Sequence, residues 1–254
     1  MTDIRVINID PSNVSQYRPV CFLNPKNEGY LKKLEWFKKR FSEGLIIKQL
    51  YLENAKKCIG FIEYIPGEYA WRAVDAKGYM FIHCIWISPN KYKEKGYGSL
   101  LVEECIEDAE KEEKNGVAVV TSEGSFMAGK GLFLKNGFKS AAKVKPSFEL
   151  MIKTLGKGPL PKFKDWEKQL SKYEGLNIIY ANQCPWVARS INDLCEIAKE
   201  KGLKLKVTEL QNAEQAQSAP SIYAVFNLVY NGKLLADHYI SNRRFLNILN
   251  KELK

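Results

Sequence analysis

No Cys-x-x-Cys pair occurs in this chain, although it holds six cysteines, at positions 21, 58, 84, 105, 184 and 195. Histidine is scarcer still, with His83 and His238 alone in 254 residues. Residues spaced this way supply neither a zinc site nor a paired-cysteine redox centre, and they suit a reducing cytoplasm. Neither G-x-G-x-x-G nor G-x-x-x-x-G-K-[ST] is present, which removes two common phosphate loops of nucleotide folds. No apolar run reaches the roughly 18 residues of a membrane span, and MTDIRVINID lacks a basic leader followed by an apolar core. The net charge of +10 is dispersed, without the aromatic and basic modules of a nucleic-acid binder. A cytoplasmic protein with no metal site and no membrane or nucleic-acid partner is the expectation.

What is present is organised around residues 79 to 115. Tyr79 to Ile87 (YMFIHCIWI) is an apolar run long enough for a buried strand, closed by Pro89. From Ser99 onward, Leu100, Leu101, Cys105, Ile106 and Ala109 recur at helical spacing, with Glu103, Glu104, Glu107 and Asp108 on the other face. Between them lies Lys93-Glu94-Lys95-Gly96-Tyr97-Gly98. A strand, a basic turn with two glycines and a helix aim backbone N–H groups and a helix N-terminus at one small volume, which suits a pyrophosphate. Gly96 and Gly98 give the turn its conformational range, and a Cβ at either is expected to crowd it.

The chain order fills in around this unit. Ile4 to Ile9, Gly44 to Glu53, Cys58 to Ile65, Val117 to Thr121 and Phe148 to Lys153 read as strands. Asn27 to Phe41 carries Tyr30, Leu34, Phe37 and Phe41 on one stripe and reads as a helix, as does Gly129 to Asn136. Together they predict an α/β layered fold, a mixed sheet with flanking helices. Gly156, Gly158, Pro159 and Pro161 mark a change of composition, so a first domain is set at 1–155, a linker at 156–175 and a second domain at 176–254.

The apolar strand ending in Ile87-Ser88-Pro89, the K-E-K-G-Y-G turn, its helix, the strand at 117 to 121 and GKGLFLKNGF at 129 to 138 together resemble the GNAT superfamily of acyl-CoA-dependent N-acyltransferases. The resemblance covers roughly residues 3 to 154. It implies acetyl-CoA as co-substrate, with its pyrophosphate on Lys93, Glu94, Lys95, Gly96, Tyr97, Gly98 and Ser99 and its pantetheine along the strand end at Ile85 and Ile87. Lys93 stands where the family usually has Gln or Arg, which keeps a charge and loses the guanidinium fork. Phe133 stands where the family often has a tyrosine acid. The implied reaction is direct transfer to a primary amine in a ternary complex. Cys84 and Cys105, on apolar faces, are expected to be buried and inert.

His83, Glu63 and Glu123 are three candidate bases near one cleft, with His83 leading because an imidazole titrates near neutrality. Tyr64, Tyr69, Trp71 and Arg72 are candidate lining residues for a small-molecule or peptide amine. A CoA-binding regulatory protein without transfer activity is the alternative that Phe133 motivates.

The second domain reads as β-α-β-β-β-α: Asn177 to Tyr180, Val187 to Lys201, Leu203 to Leu210, Ser221 to Tyr230, Lys233 to Asp237 and Asn242 to Leu253, with Asn231-Gly232 as a hairpin turn. Cys184-Pro185 at a helix start and Pro220 before a strand resemble a small thioredoxin-like domain, in which that proline is cis and faces the cysteine. Val187 occupies the position of a second cysteine, so Cys184 is expected to be a monothiol, its pKa lowered by the helix N-terminus. A thiol-reactive protein is therefore a further alternative. An acetyltransferase domain followed by such a module resembles the YoaP-like group.

Overall fold

The computed structural model describes residues 4–124 and 126–253. They form two compact units, one of Met1–Phe22, Lys38–Ala70 and Asp75–Phe163, the other of Leu23–Phe37, Trp71–Val74 and Lys164–Lys254. The first unit thus ends within the expected linker. Two earlier segments, including most of the helix α2 (Glu28–Phe41) that follows the short α1 (Val14–Tyr17), are grouped with the C-terminal residues.

A seven-stranded mixed sheet makes the first unit. Its strands are β1 (Ile4–Ile9), β2 (Ile46–Leu52), β3 (Lys57–Pro66), β4 (Met80–Ile87), β5 (Gly116–Ser122), β6 (Lys139–Val144) and β7 (Phe148–Thr154). Their spatial order is β1-β2-β3-β4-β5-β7-β6. β6 was not expected from sequence: Lys-Ser-Ala-Ala-Lys-Val lies at the sheet edge, mostly exposed, and shows little apolar alternation.

β4 and β5 form the parallel pair, joined through the helix α3 (Tyr97–Lys111). α3 buries Leu101, Val102, Cys105, Ile106 and Ala109 against a core that includes Ile62, Met80, Ile82, Val117 and Val119. Each large apolar side chain so buried stabilises the packing by roughly 1.5–3 kcal/mol. A polar brace adds to it. Lys48 on β2 reaches Glu104 at 2.8 Å and Asp108 at 2.7 Å, and the Tyr64 hydroxyl donates to Asp108 at 2.6 Å.

The second unit carries a four-stranded sheet: β8 (Leu176–Tyr180), β9 (Leu205–Glu209), β10 (Phe226–Tyr230) and β11 (Lys233–Ala236), in the order β9-β8-β10-β11. β8 and β9 are parallel, and β10 and β11 run antiparallel to their neighbours. Its helices include one at Trp186–Glu200, one at Ala213–Gln217 and one at Asn242–Glu252.

Three sequence expectations change here. The polar stretch after Leu210 is a helix: the Asn212 side chain accepts from the Gln215 N–H at 2.9 Å, and Ala213 and Ala216 are buried. Ser221 to Val225 is irregular, with strand only from Phe226. Among the described residues the cis peptide bonds are Ser88–Pro89 and Lys145–Pro146, so the bond before Pro220 is not cis.

Candidate active site

Pairing between β4 and β5 lasts only through Met80–Val117, Phe81–Ala118 and Ile82–Val119. Beyond Ile82 the two strands part, while β4 stays paired with β3 as far as Ile87. Cys84, Ile85, Trp86 and Ile87 change from buried to half-buried at this point. Cys84 was expected to be buried and is not, because it lies past the last β4–β5 pair. An opened parallel pair leaves strand edges whose hydrogen-bonding groups can meet an extended ligand, as an added strand would.

The chain leaves β4 through a single 3₁₀ turn at Asn90–Tyr92 and then enters the turn that starts α3. Glu94 and Gly96 both take left-handed backbone conformations, at φ 61° and 82°. Gly96 is the N-cap, and no side chain caps the helix. The first turn carries no acidic residue, and Lys93 and Lys95 beside it are exposed. N–H groups of a first helical turn have no acceptor within the helix, and the helix dipole adds positive potential there. These features fit a bound pyrophosphate.

Gly96 is needed for conformation, not space: a Cβ there would meet nothing within 4 Å. At Gly98 a Cβ would come to 3.1 Å from Leu132 Cδ1, on the short helix α4 (Lys130–Lys135). Crowding therefore applies at Gly98 alone. Ser99 accepts a hydrogen bond from Asn136 at 3.1 Å, which ties the start of α3 to the Asn136-Gly137-Phe138 turn. Phe133 is buried edge-on against Phe138, with centroids 5.4 Å apart. It is part of the core.

His83 is the first β4 residue past the paired stretch, and the register of β3 against β4 shifts there: Glu63 faces Cys84 and Tyr64 faces Ile82. This irregularity re-aims the histidine. His83 Nδ1 lies 3.4 Å from Glu63 Oε1, both side chains buried. Two of the three candidate bases are thereby brought together. Glu123 lies exposed after β5.

Among the residues expected to line an acceptor pocket, Tyr64 is instead fully buried in the brace. Burial, reinforced by the Asp108 carboxylate, drives its hydroxyl far above the ordinary tyrosine value. Tyr69 is exposed. Trp71 and Arg72 belong to the second unit and are buried, with Arg72 Nη1 donating to Trp71 O at 2.6 Å and to Gln183 Oε1 at 3.2 Å. Burial also pushes the Cys105 thiol well up, as expected of an inert core cysteine.

An acetyltransferase (GNAT) family model matches residues 12–138, and a YoaP-like model matches residues 204–247. A Bacillus subtilis protein named "Uncharacterized N-acetyltransferase YoaP" is 32% identical over 250 residues, covering 96% of this chain and 98% of its own length. The chain belongs to the GNAT acetyltransferase family. It is an N-acetyltransferase with a YoaP-like C-terminal region, its mixed sheet and flanking helices have the GNAT-like arrangement, and acetyl-CoA is its co-substrate. Similar solved structures include a GNAT acetyltransferase from Staphylococcus aureus Mu50, 14% identical over 59% of this chain and 98% of that one, with a TM-score of 0.44. Another is a GNAT acetyltransferase from Brucella melitensis in complex with acetyl-CoA, 14% identical over 65% and 96%, with a TM-score of 0.41. No helix among the described residues is long and apolar enough to cross a membrane.

The register shift at His83 and the Lys48–Tyr64–Asp108 brace escaped sequence reasoning. A lysine alone in the apolar strand Gly-Leu-Ile-Ile-Lys-Gln-Leu was the one available signal for the brace.

Proposed function

We propose that the protein moves an acetyl group from acetyl-CoA directly to a primary amine of a small molecule or peptide, with Glu63 and His83 accepting the amine proton. The observation that carries this reading is that the β4–β5 opening begins at His83, which is itself in contact with Glu63. In this reading Lys93 to Ser99 hold the pyrophosphate, and the edge of β4 at Ile85 and Ile87 holds the pantetheine. The amine nitrogen then lies beside the thioester carbonyl. As the new C–N bond forms and the C–S bond breaks, the amine proton passes to the Glu63–His83 pair. The coenzyme leaves as a thiolate, whose ordinary pKa near 8.5 makes it a competent leaving group without a tyrosine at position 133. Holding the two reactants together contributes several kcal/mol of the barrier reduction. No cysteine carries the acetyl group.

Acetyl-CoA consumption against a panel of primary amines tests the reading, together with the variant His83→Ala. The loss of a positioned base lowers kcat by about 10²-fold, with acetyl-CoA affinity unchanged. A folded His83→Ala protein with near-parental turnover would give the base role to a carboxylate, and consumption with no amine would sink the transfer reading.

A second reading concerns the other unit. Its strand and helix order, β8, helix, β9, short helix, β10, β11 and helix, supports reading it as a thioredoxin-like domain without the cis proline. Cys184, half-buried, lies just ahead of the helix at Trp186–Glu200. Val187 is buried and no thiol, so this unit runs no dithiol cycle; it forms mixed adducts through Cys184. Alkylation with site mapping checks this: Cys184 is the fastest-labelled cysteine, and labelling no faster than the others would leave the unit as a recognition domain. Residence in the cytoplasm, which cell fractionation would check, suits six cysteines with no disulfide among the described residues.

A further inference from the structure

The face of the sheet that carries Glu63 also carries an aromatic group that the transfer chemistry does not use. Phe61 stands two residues before Glu63 on β3 and so points to the same side. Trp86 on β4 is paired directly opposite Phe61. Phe22 packs on both, with ring centroids 5.9 Å from Phe61 and 5.4 Å from Trp86, edge-on to the latter at 88°. Farther along the same face, Phe81 meets the His83 ring at 5.7 Å.

Phe22 is held in an unusual way. Cys21 and Phe22 are consecutive non-glycine residues in left-handed conformation, at φ 45° and 59°. Such conformations are disfavoured for side chains with a Cβ and concentrate where a chain must present a group in a set direction. What is presented here is a phenyl ring 39% exposed, against a half-buried tryptophan. A ring kept only for core packing would be buried, as Phe61 and Phe81 are.

The rest of this face limits the charge an acceptor can carry. The residues paired across from Phe61 and Glu63 on β2 are Gln49 and Ile47, and Ile65 is opposite Phe81. Glu63 is thus the one carboxylate at these positions. A polyamine needs a second acidic partner for its second ammonium, and these positions supply none. Aromatic surface attracts one ammonium group and packs against a flat or broad apolar body.

We propose that Phe22 and Trp86 form the acceptor-binding shelf of the enzyme and that the acceptor is a monoamine bearing an aromatic or broad apolar group. The inference rests on the transferase reading above, with the amine nitrogen directed to Glu63 and His83 and its apolar body against the shelf. Phe22 and Trp86 then set specificity and take no part in proton transfer.

The experiment compares phenethylamine, propylamine and spermidine as acceptors for the full-length protein, beside Phe22→Ala and Trp86→Leu. Phenethylamine is expected to show kcat/KM about tenfold above the other two. Each variant is expected to shrink the phenethylamine-to-propylamine ratio severalfold, with acetyl-CoA affinity retained. Calorimetric binding of the three amines to CoA-saturated protein gives a readout independent of turnover. Preference for spermidine, or ratios unaltered in both variants, would overturn the shelf while leaving the transferase intact. Aryl-selective binding, lost in the variants, without any transfer would sustain the shelf and sink the transferase. Equal binding of all three amines would overturn the shelf whatever the turnover.

Discussion

Two parallel strand pairs, β4–β5 and β8–β9, differ in how far they stay together. β8 and β9 pair through all five positions from Leu176–Leu205 to Tyr180–Glu209. β4 and β5 pair through three and then separate. In the closed pair the backbone hydrogen bonds are used within the sheet, and no extended ligand can enter between the strands. In the open pair the strand edge past Ile82 is available to one. Between its parallel strands the second unit therefore offers a ligand no backbone groups, whereas the first unit can hold a co-substrate by its backbone.

Opening a sheet also weakens the platform beneath α3, and the Lys48 brace compensates by tying that helix to β2 and β3. This gives the largest expected effect. Lys48→Ala removes the buried cation shared by Glu104 and Asp108, leaving Asp108 only the exposed Lys111 at 3.5 Å, and costs about 3 kcal/mol in chemical denaturation at pH 7. Burial alone would lower the Lys48 pKa, but hydrogen bonds to Asp108 and Glu104 and their charges hold it above the usual lysine value. Burial alone would likewise raise Asp108, yet bonds from Lys48 and Tyr64 and the nearby lysine charges hold it below the usual 3.8. The lysine's share of stability is thus complete at neutral pH and fades as pH climbs through its raised value. The aspartate's share is complete above the ordinary aspartate range and fades as pH falls through its lowered value. A variant losing no stability between these limits would remove the brace from the account.

The two helix-end glycines sharpen the contrast. Gly96 and Gly202 both take left-handed conformations, at φ 82° and 64°, and neither would meet a neighbour on gaining a Cβ. Valine at either strains the backbone by roughly 1–2 kcal/mol. Only Gly96→Val should weaken acetyl-CoA binding, by about tenfold or more, since the strain falls on the turn proposed to hold the phosphates. Equal losses of affinity in calorimetry would mean that the effect is general destabilisation. Lys93→Ala gives the smallest change, about 1 kcal/mol or roughly fivefold in affinity, which grows less at high salt.

Sequence revealed the parts whose signals are local. The apolar run before Pro89, the paired glycines and the stripe on α3 each depend on neighbours in the chain, and all stand where they were read. The same holds for β8 and the helix after Cys184. What escaped depends on partners far away in sequence. The register shift that re-aims His83 is a relation between β3 and β4. The role of Tyr64 follows from Lys48 and Asp108, and the grouping of Trp71 and Arg72 with the second unit follows from Gln183 and Tyr223, over whose ring the Arg72 guanidinium sits at 4.8 Å. The exposed pattern of β6 and the polar helix at Ala213–Gln217 were hidden because neither buries a regular apolar stripe.

Backbone amide hydrogen exchange with and without acetyl-CoA tests most directly whether the opened strand pair is the co-substrate site. The account predicts slower exchange at Cys84 to Ile87 and at Tyr97 to Ser99 when acetyl-CoA is bound, with Leu176 to Tyr180 of the closed pair unchanged. Saturating acetyl-CoA that leaves exchange at Cys84 to Ile87 and Tyr97 to Ser99 unaltered would contradict it.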